Sequence, residues 1–123
     1  MSGSVVIVDD EPLQRWQLID ALSDLDLEIY EAGDGGTAVE VIRNHQPGLV
    51  IMDIRMPGVD GVGAVEQIRD MTDPPKIILM TGDPESLQSA NERRPEVFAI
   101  VEKPIPLRLL RRFVMESLGI RPR

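Results

Sequence analysis

Short apolar runs and amphipathic stretches take turns along this chain. Val5–Val8, Leu49–Met52 and Ile77–Met80 are unbroken apolar runs of four residues each. Runs this short, and this rich in β-branched side chains, predict strands covered on both faces. Glu28–Ala32 alternates as a strand does, and Phe98–Val101 predicts a fifth strand. Between these segments the apolar residues recur at helical spacing: Leu18, Ala21, Leu22 and Leu25; then Ala38, Val39, Val41 and Ile42; then Val62, Val65 and Ile68; and last Leu107, Leu110, Val114 and Leu118. Pro84–Asn91 predicts a weaker fourth helix, more polar and less periodic. Proline and glycine supply the punctuation. Pro12 suits the first turn of the first helix, Gly33–Gly36 is a turn, His45–Gly48 breaks the second helix, and Pro57–Gly61 is a loop. Pro74 and Pro75 close the third helix, Pro106 opens the fifth, and Gly119–Arg123 reads as a ragged end or the start of a linker.

Five strand–helix units in alternation predict an α/β fold, a parallel sheet with helices on both faces. A (βα)5 chain of this kind is expected to take the flavodoxin-like strand order 2-1-3-4-5, with ligands outside the carboxyl ends of the strands. The 123 residues suffice for one core and are short for two, so residues 1–123 read as a single domain with no output domain in this chain.

The residues at those carboxyl ends carry the candidate chemistry. The first strand runs into Asp9 and Asp10, the third into Asp53, the fourth into Thr81 and the fifth into Lys103. Three carboxylates sharing one cleft cannot all ionise unaided. Magnesium would remove the conflict, because it takes oxygen ligands and needs only one or two carboxylates besides waters and phosphate oxygens. Asp53 is then the natural nucleophile for a phosphoryl group, with Lys103 pairing one phosphoryl oxygen and the Thr81 hydroxyl donating to another. Gly82 would leave its N–H uncrowded beside them.

Charge and composition narrow the partners. A formal net charge of -8 argues against direct nucleic-acid binding, which needs a basic stripe. With no cysteine, thiol catalysis, disulfides and thiolate metal sites are excluded. The N-terminal apolar run is too short for a membrane span or a leader, so no membrane contact and a cytoplasmic location are expected.

With these residues in view, the chain resembles the receiver domains of two-component response regulators. The resemblance rests on VDDEP at Asp9 and Asp10, MDIRMPGVDG around Asp53, LMTG at Thr81 and VEKP at Lys103, and it covers essentially the whole chain in order. It implies that Asp53 accepts a phosphoryl group from a sensor histidine kinase or a phosphotransfer-domain histidine, with catalysis limited to the domain's own phosphorylation and dephosphorylation rather than turnover of a separate substrate. It implies Mg2+ held directly by Asp10, Asp53 and the Arg55 main-chain carbonyl and by Asp9 directly or through water, with Thr81 as the switch hydroxyl and Lys103 as the phosphate-pairing lysine. Pro104 matches a proline whose preceding bond is usually cis in the family. The implied output is a conformational change read by a downstream protein effector, and a homodimer is left open. Two departures stand out. The family often has an aromatic residue three before the lysine, where this chain has Ile100, and Arg55 sits two after the acceptor, where side chains tune phosphoryl lifetime.

Other features take plainer readings. Glu11 is a helix N-terminal acid, Asp60-Gly61 a turn, and GDGGTA at 33–38 a glycine-rich turn rather than a dinucleotide fingerprint. His45 is a surface residue at a helix C-terminus, Arg108, Arg111 and Arg112 form a solvated face, and Trp16 lies on the helix surface or in packing. Two alternative functions remain open. One is a Mg2+-dependent phosphohydrolase with an Asp nucleophile; haloacid-dehalogenase-type enzymes carry a second Asp where this chain has Arg55. The other is a pseudo-receiver, an interaction module that is never phosphorylated, against which the complete Asp, Thr and Lys set speaks.

Overall fold

The computed structural model describes residues 3–55, 61–93 and 97–123. Along the chain come β1 (Gly3–Val8), α1 (Pro12–Leu22), β2 (Leu27–Ala32), α2 (Gly35–His45), β3 (Leu49–Asp53), α3 (Gly61–Arg69), β4 (Lys76–Thr81), α4 (Pro84–Arg93), β5 (Ala99–Glu102) and α5 (Leu107–Leu118). All neighbouring strands are parallel, in the order β2-β1-β3-β4-β5. The flavodoxin-like architecture expected from the alternation is therefore present. Of the predicted Pro57–Gly61 loop, residues 57–60 lie outside the described residues, and Gly61 begins α3.

Both faces of the sheet are dry, which is why its central strands carry no polar alternation. Val6 and Val8 of β1, Val50 and Met52 of β3, and Ile77 and Leu79 of β4 pack with Ala38 and Ile42 of α2 and Ala64, Val65 and Ile68 of α3. The intervening residues, Val5 and Ile7, Leu49 and Ile51, Ile78 and Met80, pack on the other face with Leu18 and Leu22 of α1 and Leu110 and Val114 of α5. A strand turns successive side chains to opposite faces, so these rows continue past the strand ends. Asp9, Asp53 and Lys103 extend the rows that face α1 and α5, whereas Thr81 extends the row of Ile77 and Leu79.

Several boundaries differ from the sequence pattern. Leu25 is buried but stands beyond the end of α1, where it bridges Pro122. Its apolar character comes from packing, not from helical phase. Gly119–Arg123 is not ragged. Gly119 caps α5 with φ 65°, Ile120 is buried, and the backbone N–H of Arg123 donates to the Asp24 carbonyl. Arg111 is not part of a solvated face either. Its guanidinium forks onto both carboxylate oxygens of Asp24 and donates to the Ala21 carbonyl, tying α5 to the end of α1. His45, at the end of α2, is exposed as expected and stacks on Tyr30 with ring centroids 3.9 Å apart.

Gly48 is placed by a close approach. A Cβ there would lie 2.5 Å from Leu118 Cδ2. Gly48→Val is expected to destabilise the fold by about 1 kcal/mol, because the half-buried Leu118 side chain has to turn its end aside. The cost should shrink in a Leu118→Ala background, where the obstructing methyl is gone; thermal melts of the four proteins check this, and strict additivity would refute it.

Among the described residues, three carboxylates are held below their usual range by partners that the fold supplies. The Arg111 hydrogen bond lowers Asp24, and the Thr37 N–H, capping α2, lowers Asp34. Hydrogen bonds from the Ser86 hydroxyl and the Glu85 N–H, both at the start of α4, lower Asp83. A folded-state pKa below the unfolded value adds stability at higher pH and loses it as pH falls through the folded value. Stability is therefore expected to hold above about pH 5 and to decline as acid goes below the unfolded value near 3.8. Denaturant melts between pH 6 and 2.5 measure it, and a midpoint that rose with acid would refute it.

Candidate functional site

The carboxyl ends of the strands gather one ammonium and a group of carboxylates. The Asp9 N–H donates to the Ala32 carbonyl and the Lys103 N–H to the Thr81 carbonyl, so each ladder runs one bond past its strand. Both residues are thereby set by sheet geometry rather than by loose loops. Lys103 Nζ lies 2.6 Å from Asp53 Oδ2, 3.1 Å from Asp9 Oδ2 and 2.6 Å from Gln14 Oε1 on α1. Asp9 is wholly buried and Asp53 nearly so, while Asp10 is exposed. Asp9, Asp10 and Asp53 can each bring one oxygen within 4.8 Å of the others. Main-chain N–H groups hold the remaining oxygens of the two buried carboxylates: Glu11 donates to Asp9 Oδ1 and Arg55 to Asp53 Oδ1. Glu11 stands at the N-cap of α1 without a side-chain cap, in keeping with its plain reading.

Burial pulls the Lys103 ammonium down, but the hydrogen bond and charge of Asp53, joined by Asp9, outweigh it and leave the group raised above its ordinary value. Lys103 is therefore a cation at neutral pH. Its aliphatic stem crosses Gly82, where a Cβ would stand 3.7 Å from Lys103 Cβ. That is ordinary contact, so glycine is not sterically required here. The Lys103–Pro104 bond is cis.

Thr81 does not join this group. Its hydroxyl donates to the Asp83 carbonyl at 3.0 Å and accepts the Asp83 N–H at 3.1 Å. The row it extends, that of Ile77 and Leu79, faces α2 and α3. The Asp83 carboxylate also pairs with Arg55 Nη1 at 2.7 Å, joining the loops that follow β3 and β4. Ile100, in the position where the family often has an aromatic, is half-buried against the α2 and α3 side of the core.

Three residues at the site were not legible as such: Gln14, Arg15 and Asp83. Arg15 Nη1 donates to the Asp9 carbonyl at 2.6 Å while its Nε pairs with Glu31, which anchors the turn that carries Asp9. For Gln14 a signal existed. It stands one turn before Leu18 and two before Leu22, so it is a polar residue on the core-facing stripe of α1.

The profile of the response regulator receiver domain matches residues 5–114. This chain belongs to that family. It is 34% identical over 116 residues to the regulatory protein AtoC of Escherichia coli, a match covering 94% of this chain and 25% of that protein. It is 41% identical over 81 residues to a protein-glutamate methylesterase/protein-glutamine glutaminase of Nitrosospira multiformis, covering 64% of this chain and 22% of that protein. Among solved structures, the receiver domain of a signal transduction histidine kinase from Syntrophus aciditrophicus superposes with a TM-score of 0.85 at 25% identity, covering 96% of this chain and 91% of that one. The chain thus spans about a quarter of the length of those two curated relatives. A receiver domain works in two-component signalling, and its family takes Mg2+ in an acidic pocket and meets histidine kinases and effectors. Among the described residues, no helix of this receiver is long and apolar enough to cross a membrane.

Proposed function

We propose that residues 1–123 act as a single receiver domain in which Asp53 accepts a phosphoryl group from a phosphohistidine of a sensor kinase or phosphotransfer domain. The observation that carries this is the Lys103 ammonium bonded at once to Asp53 and Asp9, with Asp10 beside them. Three carboxylates against one ammonium leave two negative charges uncompensated, the charge of one divalent cation. Hard oxygen donors at this spacing fit magnesium, held by Asp9, Asp10, Asp53 and the Arg55 main-chain carbonyl. When bound, magnesium would neutralise charge on the phosphoryl oxygens and on the carboxylates around them.

The chain's own residues supply the rest. An Asp53 oxygen bonds to phosphorus as the donor's P–N bond breaks, and the departing imidazole keeps the electron pair. Lys103 turns an N–H from Asp53 to a phosphoryl oxygen. Later attack by water on phosphorus releases inorganic phosphate and restores the carboxylate. The Thr81 hydroxyl, now held by Asp83, would leave that partner for a phosphoryl oxygen. Because Asp83 also caps α4 and pairs with Arg55, this move would disturb the start of α4. Phosphorylation then shifts a two-state equilibrium that a downstream protein effector reads. Catalysis would be confined to this domain's own acyl phosphate, and the cytoplasm is the compartment we propose. Intact mass after acetyl phosphate and magnesium tests the proposal: one phosphoryl adduct is expected, and an unmodified protein overturns it.

A further inference from the structure

Lys103 has more company than phosphate pairing requires. An ammonium has three N–H donors and no acceptor. Here all three are engaged, by Asp53, Asp9 and Gln14. Gln14 is the only uncharged acceptor among these three, and at 2.6 Å it lies as close as Asp53. We propose that Gln14 is a positioning residue for Lys103: its amide oxygen and Asp9 hold the ammonium in place while the remaining N–H passes from Asp53 to a phosphoryl oxygen. The inference rests on the phosphoryl-accepting role proposed for Asp53.

The fold makes Gln14 suited to this. Leu18 and Leu22, one and two turns further along the same face of α1, are buried against the sheet, so the helix that carries the amide is anchored. Gln14 lines a groove of about 620 Å³ together with Trp16, Lys103, Pro104 and Leu107. A neutral oxygen is the weaker kind of acceptor for a cation. It can fix one donor without competing for the donor the phosphoryl group needs. A carboxylate in its place would add a fourth negative charge and draw the ammonium towards α1. Without any acceptor there, the ammonium keeps two partners, and one of them is the group that must release it.

The test is a double-mutant cycle on the purified protein. Wild type, Gln14→Leu, Lys103→Ala and the double variant are incubated with acetyl phosphate and magnesium, and adduct formation is followed by intact mass over hours. Gln14→Leu should slow the reaction roughly tenfold, the scale of one hydrogen bond to a charged group. In the Lys103→Ala background the same change should alter the rate less than twofold. Equal slowing in both backgrounds, or none in either, overturns the proposal. Gln14→Met repeats the cycle should the leucine variant melt early. A second readout needs no phosphate chemistry: the Lys103 ammonium protons, followed by NMR, should exchange with water faster in Gln14→Leu. If the wild type forms no adduct, the proposed function fails. Exchange then decides alone: an unchanged signal overturns this inference too, and faster exchange upholds the hold on Lys103.

Discussion

Asp53→Asn is expected to carry no phosphoryl adduct after incubation with acetyl phosphate and magnesium, where the wild type gains one. An amide lacks the anionic oxygen that bonds to phosphorus, so the loss should be complete rather than partial. The fold should survive the change. Asp53 Oδ2 faces the Lys103 ammonium and Oδ1 faces the Arg55 N–H, both donors. The amide can turn its oxygen to only one of them, and the ammonium will take it. The cost is one main-chain hydrogen bond, about 1 kcal/mol. Magnesium should also bind more weakly, because the cluster loses one of its charges. Intact mass and a thermal melt read the two effects together. An adduct that persists in the folded variant would place the nucleophile elsewhere, and Asp10 would be the first candidate, because it is the exposed carboxylate of the group.

Lys103→Ala should divide two properties that move together in most site variants: magnesium should bind more tightly while phosphorylation slows. The substitution removes the cation that, among the described residues, bonds both Asp9 and Asp53. Two buried carboxylates are then left without their partner, which in a dry interior costs about 3–5 kcal/mol. The Lys103 side chain is 20% exposed, so water screens part of that loss and about 2 kcal/mol is the expected destabilisation without metal. Magnesium should restore most of it by mass action. Removing one neighbouring positive charge should strengthen magnesium binding about tenfold. Phosphorylation should nonetheless slow about a hundredfold, because an Arg- or Lys-type clamp on the transferring group acts mainly in the transition state. The exposed indole of Trp16, beside Lys103 in the groove, offers a fluorescence signal for the magnesium titration. Weaker magnesium binding in the variant would contradict this electrostatic picture. In the wild type the ion pairs should endure alkaline pH. Lys103 is raised in the fold, so its contribution is complete below the unfolded value near 10.5 and is lost only as pH climbs through the higher folded value.

The elements and their order were legible because the pattern that encodes them is local. Val5–Val8 and Leu49–Met52 read as strands buried on both sides, and they are. Errors gathered where a residue is apolar or charged for a distant reason. Leu25 looked like the last helical position of α1 but is a core residue beyond it, paired with Pro122 from the far end of the chain. Arg111 looked like a solvated charge until Asp24 and the Ala21 carbonyl came within its reach.

The sequence by itself determined which residues stand at strand ends and, through the period of two, which positions of one strand share a face. Residues 5, 7 and 9 form one such row and residues 49, 51 and 53 another, but that both rows, and with them Asp9 and Asp53, lie on one side of the sheet is set by the register of β1 on β3. Only the tertiary structure decided what those carboxylates touch. The strand order sets β1 beside β3 but puts β5 two strands away from β3, so the meeting of Lys103 with Asp53 depends on a long side chain crossing the end of β4. The contact with Gln14 depends on how α1 packs. Periodicity is a property of neighbours along the chain, whereas a hydrogen bond across fifty or more residues exists only once the core has brought its two ends together.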